Sequence, residues 1–422
     1  MNYLLINHVP FGQGSAPNRF LVGDMWLEDL RAQAKAWSSY GRLGVAVPCL
    51  EHLPPEHSGS FNLVEINIDE EEFELFPLPQ YLSWQMFFKS LGDLQHRLNQ
   101  YCQWASIIQA DYGGHPVPLG QVAWSIAEKH AAKRIWVFDG ADPFPRMERA
   151  IAEESNRLKQ IAKRVLTARF EKFCFKAIDA ADLVFTHNVS VMKRFKEVWN
   201  QHCYSFDRSF VKQQMLINEQ QAEVRKARLM DQSQPLRLVT ASRQIAIKAT
   251  DHILKAMSAA IDRGTKLELE VLGDGDELPH YKQMAHDLGI ADKVRFTGAV
   301  PYGEPLFERL EQAHVMVVTN LTAEISRNVL LGMALGLPLI LYRNPGTDML
   351  IEQSDTGMLV PCGDIAALSD ALVEAEQNRS RLAEVLTNGL KLAQVQTMEA
   401  VHARRAELAA ACLSADLAAT KP

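Results

Sequence analysis

The sequence lacks most of the features that decide a function outright. Its six cysteines, Cys49, Cys102, Cys174, Cys203, Cys362 and Cys412, are scattered, with no CxxC pair and no two histidines at metal-ligand spacing. That argues against a zinc site and a disulfide framework and favours free thiols in a reducing cytoplasm as the expectation. No apolar run approaches the roughly 18–20 residues that span a bilayer, which excludes a transmembrane helix. The opening residues, MNYLLINHVPFGQG, carry no basic stretch and no small-residue cleavage site, so they read as mature protein and not as a signal peptide. Surplus positive charge is missing as well. The formal net charge is −7, so a chain built mainly to hold nucleic-acid phosphate is not expected. GxGxxG, the nicotinamide-dinucleotide fingerprint, is absent. So are internal repeats, low-complexity segments and a DxD-like metal signature near a strand end.

What is present is an ordinary globular composition, 47% hydrophobic and 23% charged, over a length that suits two domains of about 200 residues each. The run Tyr3–Val9 reads as a strand. The loop FGQGSAPNRF, a helix over about 21–40 and a strand at Leu43–Val47 complete a βαβ unit. Residues 62–80, with the acidic run Asp69–Glu72 and the stretch Pro77–Pro79, read as an irregular insertion. A long helix over about 82–108 leads into the loop ADYGGHPVPLG, and a helix over about 121–132 precedes the strand IWVF. After GADPFPR the pattern predicts one helix over about 147–178, the strand Leu183–Thr186 and the helix Val189–Val198. Residues 206–236 are polar and read as a linker. A second series predicts strands near 237–241, 267–272, 294–296, 315–318 and 338–342, with helices between them. Strands alternating with helices imply parallel, doubly wound sheets. The fold class is therefore α/β. Two Rossmann-like domains, at 1–205 and 237–390, are followed by a helical tail at 391–422 with the reach to pack back on the first.

Arg243 and Lys248, in TASRQIAIKATDHILKA, stand between a strand end and a helix start. Two cations there converge on an anion over the sheet edge, and a forked guanidinium with a point-charge ammonium suits a diphosphate. A solvated loop with two surface cations is the alternative, at even weight. Gly273 and Gly275 close the next strand, where they let a backbone lie against a ligand or make a tight turn. Backbone groups around Thr297 and Gly298 either read a base edge or form a plain βα loop. Residues 315–342 read as strand, loop, helix, strand, with Glu324 in the loop. Open α/β sheets bind anions at such strand ends, and the helix N-terminal amides of Ser326, Arg327, Asn328 and Val329 are candidates to hold phosphate.

Taken in order, these pieces resemble a known family. They are Arg-x4-Lys, Gly-x-Gly, Val-Arg-Phe-Thr-Gly, Glu324, Ala-x-Gly-x-Pro and Thr-Gly-Met-Leu-Val at 356–360. The resemblance is to the retaining GT-B glycosyltransferases of the large group called family 4. It lies in motif over about 237–375 and in fold order over 1–200. It implies the GT-B fold, two Rossmann-like domains facing across a cleft. It also implies sugar transfer from a nucleotide-diphosphate sugar to a polysaccharide, lipid-linked or small-molecule glycan acceptor. Retention at the anomeric carbon, with no metal or other cofactor, is part of that expectation. The resemblance assigns Arg243 and Lys248 to the donor diphosphate and Glu324 to the donor sugar, as the catalytic residues. The second acid of the family's Glu-x7-Glu motif, which holds the ribose, is Gly332 here, so that role does not carry over. In the amino half the resemblance points to Gly12 and Gly14 beside the phosphates, with Arg19 as an extra cation. It also points to Asp139 where family members usually have a histidine. His115, in GGHPVP, is a further candidate for contact with acceptor or donor sugar.

Two other readings stay open. Gly332 and Asp139 raise a non-catalytic GT-B scaffold, the partner subunit of an active transferase, which predicts no turnover. A sugar-nucleotide epimerase on the same fold predicts product without acceptor. The expected location is the cytoplasm, with peripheral contact to the inner face of a membrane. Lys159, Lys163, Arg164, Arg169, Lys172 and Lys176 give one helix a basic character that suits an anionic membrane surface or a lipid-diphosphate acceptor. A solvated helix face, interrupted by Glu171, is the favoured reading of that run.

Overall fold

Short apolar runs, most of them returning through a helix, build two mainly parallel sheets, each buried on both faces as parallel strands require. The structure, a computed structural model, describes residues 1–53, 62–80, 83–113, 119–138, 142–186, 189–206, 209–322, 325–352 and 354–414. The chain forms two units, Met1–Asp207 with Glu399–Pro422, and Arg208–Met398.

The first unit runs β1 (Asn2–Ile6), β2 (Phe11–Gln13), β3 (Arg19–Gly23), α1 (Asp24–Trp37), β4 (Arg42–Leu50), β5 (Leu63–Asn67), β6 (Phe73–Leu78), α2 (Trp84–Trp104), β7 (Ile107–Asp111), α3 (Leu119–Ala127), β8 (Lys133–Phe138), α4 (Pro143–Ala152), α5 (Arg157–Ala180), β9 (Leu183–Thr186), α6 (Val189–Arg194) and β10 (Cys203–Ser205). Its parallel strands lie in the order β6-β4-β1-β7-β8-β9-β10. The order reverses between β1 and β7. Alternation along β1 divides the core. Leu4 and Ile6 pack with Trp124, Trp136 and Phe170 on one face, and Tyr3 and Leu5 with Leu30, Trp37 and Val45 on the other.

The second unit runs α7 (Glu219–Met230), β11 (Leu236–Ala241), α8 (Thr250–Asp262), β12 (Leu267–Leu272), α9 (Leu278–Asp287), β13 (Val294–Gly298), α10 (Glu304–Gln312), β14 (Val315–Val318), α11 (Arg327–Ala334), β15 (Leu339–Tyr342), α12 (Pro345–Thr347), β16 (Met358–Val360), α13 (Ile365–Gln377) and α14 (Arg379–Val395). The sheet order, β13-β12-β11-β14-β15-β16, again reverses once, between β11 and β14. A last helix, α15 (Met398–Leu413), brings Ala406, Leu408, Ala409 and Cys412 into the core of the first unit, where His402 meets Asp29 at 3.0 Å.

Four expectations are corrected. The helix expected over about 82–108 ends at Trp104, and Ile107–Asp111 is the strand β7. Residues 62–80 are not irregular: β5 pairs β3 and β6 pairs β4, and the acidic run forms the turn between them. The helix expected over 147–178 is two helices, because Asn156 caps a new one by accepting the Leu158 and Lys159 amides. The stretch expected as a linker carries α7, fixed at its start by an Asn218–Gln221 capping box. Buried Arg379 holds the other end, donating to Leu229 O at 3.3 Å, Asp231 O at 2.5 Å and Gln234 O at 2.9 Å.

Candidate functional site

Where strand order reverses in an open α/β sheet, the loops leaving the two flanking strands diverge and open a crevice for ligand. In the second unit these loops follow β11 and β14. The first carries Ser242 to Ala249 and is fastened by Gln244, which is fully buried. The Gln244 side-chain amide donates to Ser242 O at 2.7 Å and Leu272 O at 3.1 Å, and its oxygen accepts the Thr250 hydroxyl at 2.8 Å. Its backbone N–H donates to Asp274 O at 2.9 Å and its carbonyl accepts the Glu277 amide at 3.0 Å. The glycine turn after β12 lies directly against this loop. A Cβ on Gly273 would sit 1.9 Å from Ser242 O and one on Gly275 2.3 Å from Gln244 O, at φ of +114° and +157°. The two turns expected at the donor site are thus one locked assembly. Arg243 stands exposed on it, and half-buried Lys248 ends the 3-10 turn Ala246–Lys248.

The second loop is tied to the first. The Thr319 hydroxyl donates to Lys248 O at 2.9 Å and Ala249 O at 3.0 Å, and the Leu321 amide donates to Ile247 O at 3.0 Å. From the first turn of α11, Asn328 donates its side-chain amide to Ala241 O, at the end of β11. Arg243, Lys248, Gly273, Gly275 and the start of α11 therefore share one end of one sheet. Sequence reasoning missed Gln244 and Thr319, whose bonds hold them there. Glu324, His115 and Asp139 lie outside the described residues.

Other expected residues have structural partners. The Thr297 hydroxyl donates to Glu270 Oε1 at 2.6 Å. Gly298, at φ +81°, accepts the Gly273 amide at 2.7 Å. The Val329 amide donates to Ser326 O at 3.0 Å and its side chain is core, which leaves Ser326, Arg327 and Asn328 of the four candidate amides. The Arg327 guanidinium lies 4.4 Å from the centre of the Phe210 ring. Gly332 is buried, and a Cβ there would meet Leu339 Cδ2 at 3.0 Å and Met316 Sδ at 3.1 Å. An acid at 332 would point into the apolar layer between α11 and the sheet.

In the first unit Gly12 and Gly14 belong to the β2–β3 hairpin. A Cβ on Gly12 would press on Leu53 Cβ at 2.7 Å, and one on Gly14 on the Arg19 carbonyl at 2.7 Å. Arg19 itself pairs with Glu65 at 3.5 Å. Hairpin packing accounts for both glycines. The polar group at the reversal point is a different one. His8, just past β1, meets Asp111, the last residue of β7, with Nδ1 and Oδ2 3.0 Å apart. Asp111 is nearly buried and also accepts the Gly113 amide at 2.9 Å. Asn7 fixes the turn, its side-chain oxygen accepting the Val9 amide at 2.8 Å. Gly113 is required because a Cβ there would lie 2.1 Å from His8 Nδ1. The Asp111 carboxylate orients the His8 ring through Nδ1, and 35% of the His8 side chain stays exposed.

At the opposite end of the second sheet His314 is buried, accepting the Arg237 amide on Nδ1 at 3.1 Å. Burial first, then the charges of Arg237, Arg228 and Arg379, push its pKa down to about 3, against a smaller raising effect from Asp231.

Two doubly wound parallel domains, with a final helix returning to the first, define a GT-B fold, and the reversal point of its second domain offers two cations on a locked turn. Residues 235–378 match the family model described as glycosyl transferases group 1. Among curated proteins, the chain is 28% identical over 159 residues to the amylovoran biosynthesis glycosyltransferase AmsK of Erwinia amylovora, a match covering 36% of this chain and 39% of that protein. It is 27% identical over 150 residues to a GDP-mannose-dependent alpha-(1-6)-phosphatidylinositol monomannoside mannosyltransferase of Mycobacterium tuberculosis, covering 34% and 39%. The matched region thus spans about two fifths of each relative. A solved structure of Anabaena Alr3699/HepE in complex with UDP superimposes with a TM-score of 0.62 at 14% identity, covering 96% of this chain and 99% of that one. At that identity the likeness is one of fold.

Proposed function

We propose that the protein is a glycosyltransferase that takes a sugar from a nucleotide-diphosphate donor bound at the reversal point of the second unit. The observation that carries this reading is the Gln244-locked turn, which presents Arg243 and Lys248 at that point within the region matching group 1 glycosyltransferases. The two cations neutralise the charge that grows on the diphosphate as the bond to the sugar breaks, in place of a metal ion. Glu324 orients the sugar. The reading includes retention at the anomeric carbon, with no protein nucleophile, and an acceptor held by the first unit with His8 against one of its hydroxyls. A nucleoside diphosphate fits the two cations, in keeping with the UDP held by the fold relative. The acceptor class is a polysaccharide, a lipid-linked glycan or a small-molecule glycan, and the setting is the cytoplasm at the inner face of a membrane.

A panel of nucleotide sugars, read by thermal shift and calorimetry, tests the reading, since a ligand that binds the native state raises its apparent stability. One donor is expected to bind and to turn over when acceptor is supplied. Arg243→Ala and Lys248→Ala are each expected to weaken donor binding about tenfold or more, as loss of a charge-assisted contact implies. Donor binding unchanged in both variants overturns the site. Binding without turnover for any acceptor points to a scaffold, and product without acceptor to an epimerase.

A further inference from the structure

We propose that the outward face of α5 docks the protein on a bilayer carrying anionic phospholipid. The docking face belongs to this helix alone and does not depend on what the donor site binds. Over 24 residues α5 is about 36 Å long. From Arg157 to Arg169 none of its side chains is buried. The inner side of that half meets the end of α4 and the turn after it. Gln160 donates to Ile151 O at 3.1 Å, and Lys163 to Ala150 O at 3.0 Å while pairing with Glu154 at 2.8 Å. The later half is anchored by Phe170, Cys174, Ala177 and Ile178.

The outward stripe is spaced at three and four residues, so it lies on one helical face. It begins as Leu158, Ile161 and Val165, which are 79%, 57% and 51% exposed, and continues as Arg169, Lys172 and Lys176. Leu166, 59% exposed, stands beside it. A helix that earned its place by core burial would turn such a stripe inward. Here the packed face is elsewhere, and the apolar stripe has no partner among the described residues.

Charge identifies what covers it. The helix carries seven basic and two acidic side chains, a net +5, in a chain whose total is −7. Of the two acids, Glu171 is already paired with Arg194 at 2.9 Å, and Asp179 sits in the last turn. Arg157, Lys159 and Arg164 flank the apolar stripe. Apolar residues ringed by long cationic side chains match a headgroup layer: the stripe enters the acyl boundary while the ammonium and guanidinium groups extend back to phosphate. The expected reading of this run as a solvated face accounts for the cations but not for Leu158, Ile161 and Val165.

The test is co-sedimentation of the full chain with phosphatidylcholine vesicles, with and without phosphatidylglycerol. Wild-type protein is expected to pellet only when phosphatidylglycerol is present. Each cation near an anionic surface contributes roughly fivefold in partitioning. Reversing three together, Arg169→Glu, Lys172→Glu and Lys176→Glu, is therefore expected to lower it at least about 100-fold. The pair Leu158→Gln and Ile161→Gln is expected to lower it about tenfold, from loss of buried apolar area. All five positions are outside the core, so unfolding transitions should match wild type. The wild-type comparison of the two vesicles needs no variant at all. Failure to pellet with phosphatidylglycerol, or equal pelleting of the variants, overturns the proposal. So does binding to polyglutamate that matches vesicle binding and is untouched by the Leu158/Ile161 pair, which would indicate an acidic protein partner.

Discussion

Gln244→Met separates holding the donor turn in place from touching the donor. The substitution keeps the side-chain volume and removes the three side-chain hydrogen bonds to Ser242 O, Leu272 O and the Thr250 hydroxyl. Leu272 O keeps the Ser242 amide at 3.1 Å, whereas the Thr250 hydroxyl is left in a fully buried position. At about 1 kcal/mol for a typical bond and 1–3 kcal/mol for a stranded buried group, the expected loss is about 2–4 kcal/mol. For a unit of this size that lowers the midpoint by roughly 5–15 °C. Urea unfolding and a thermal scan measure it. Calorimetry with the donor nucleotide measures the consequence, because a turn freed from the Gly273–Gly275 strand end no longer fixes Arg243. Arg243→Ala is the counterpart. The residue is exposed, so stability should move by less than about 0.5 kcal/mol while donor binding falls. If Gln244→Met unfolds with wild type, the hydrogen-bond argument is wrong. If it is destabilised but binds donor with wild-type affinity, the turn does not position the site.

Three more outcomes follow from the same geometry. His8→Ala is expected to lower kcat or raise the acceptor KM at least tenfold with donor affinity unchanged, and Asp111→Asn to act in the same direction through the ring's orientation; steady-state kinetics against both substrates decides. Gly332→Glu is expected to destabilise the second unit by about 3 kcal/mol or more without tightening donor binding, since the carboxylate enters an apolar layer; a variant that is stable and binds donor more tightly would show that position 332 faces the ligand. His314 stays neutral in the folded state down to about pH 3 but takes a proton near pH 6.5 when unfolded, so the unfolded state binds more protons between these values and stability falls as pH drops. From pH 7 to pH 5 the loss is about 2 kcal/mol, and His314→Gln should remove that component from urea midpoints measured across the range.

The second domain was readable because its strands are apolar runs set off by turn residues. Leu267–Leu272, closed by Gly273, was placed to the residue. The centre of the first sheet was not. Ile107–Asp111 follows α2 with no glycine or proline between them, so Ile107 and Ile108 read as the end of a helix and Ala110 and Asp111 as the start of a loop, although together they are the strand beside β1. His8 and Asp111 are 103 residues apart and carry no local signal of their meeting. Nothing in a sequence marks a glutamine such as Gln244 as fully enclosed. Gly332 stood out by the motif it interrupts, yet the direction of its Cα–H bond, into Met316 and Leu339, is a property of the folded chain. The stripe at 158, 161 and 165 has the spacing of a core face, and only its exposure in the folded chain shows otherwise.

The return of α15 has a consequence for how the protein is made. The core of the first unit contains Ala406, Leu408, Ala409 and Cys412, and Arg405 lies over the Phe185 ring at 5.0 Å. Glu399 follows Asp207 by 192 positions. At ribosomal speeds of 5–20 residues per second, about 10–40 s pass between synthesis of the amino-terminal sheet and arrival of the helix that covers it. The order of synthesis is therefore not the order of completion. The second unit can close while the first still lacks the helix that lies over Phe185, and a ribosome that stops before codon 399 releases a chain with one finished domain and one open face.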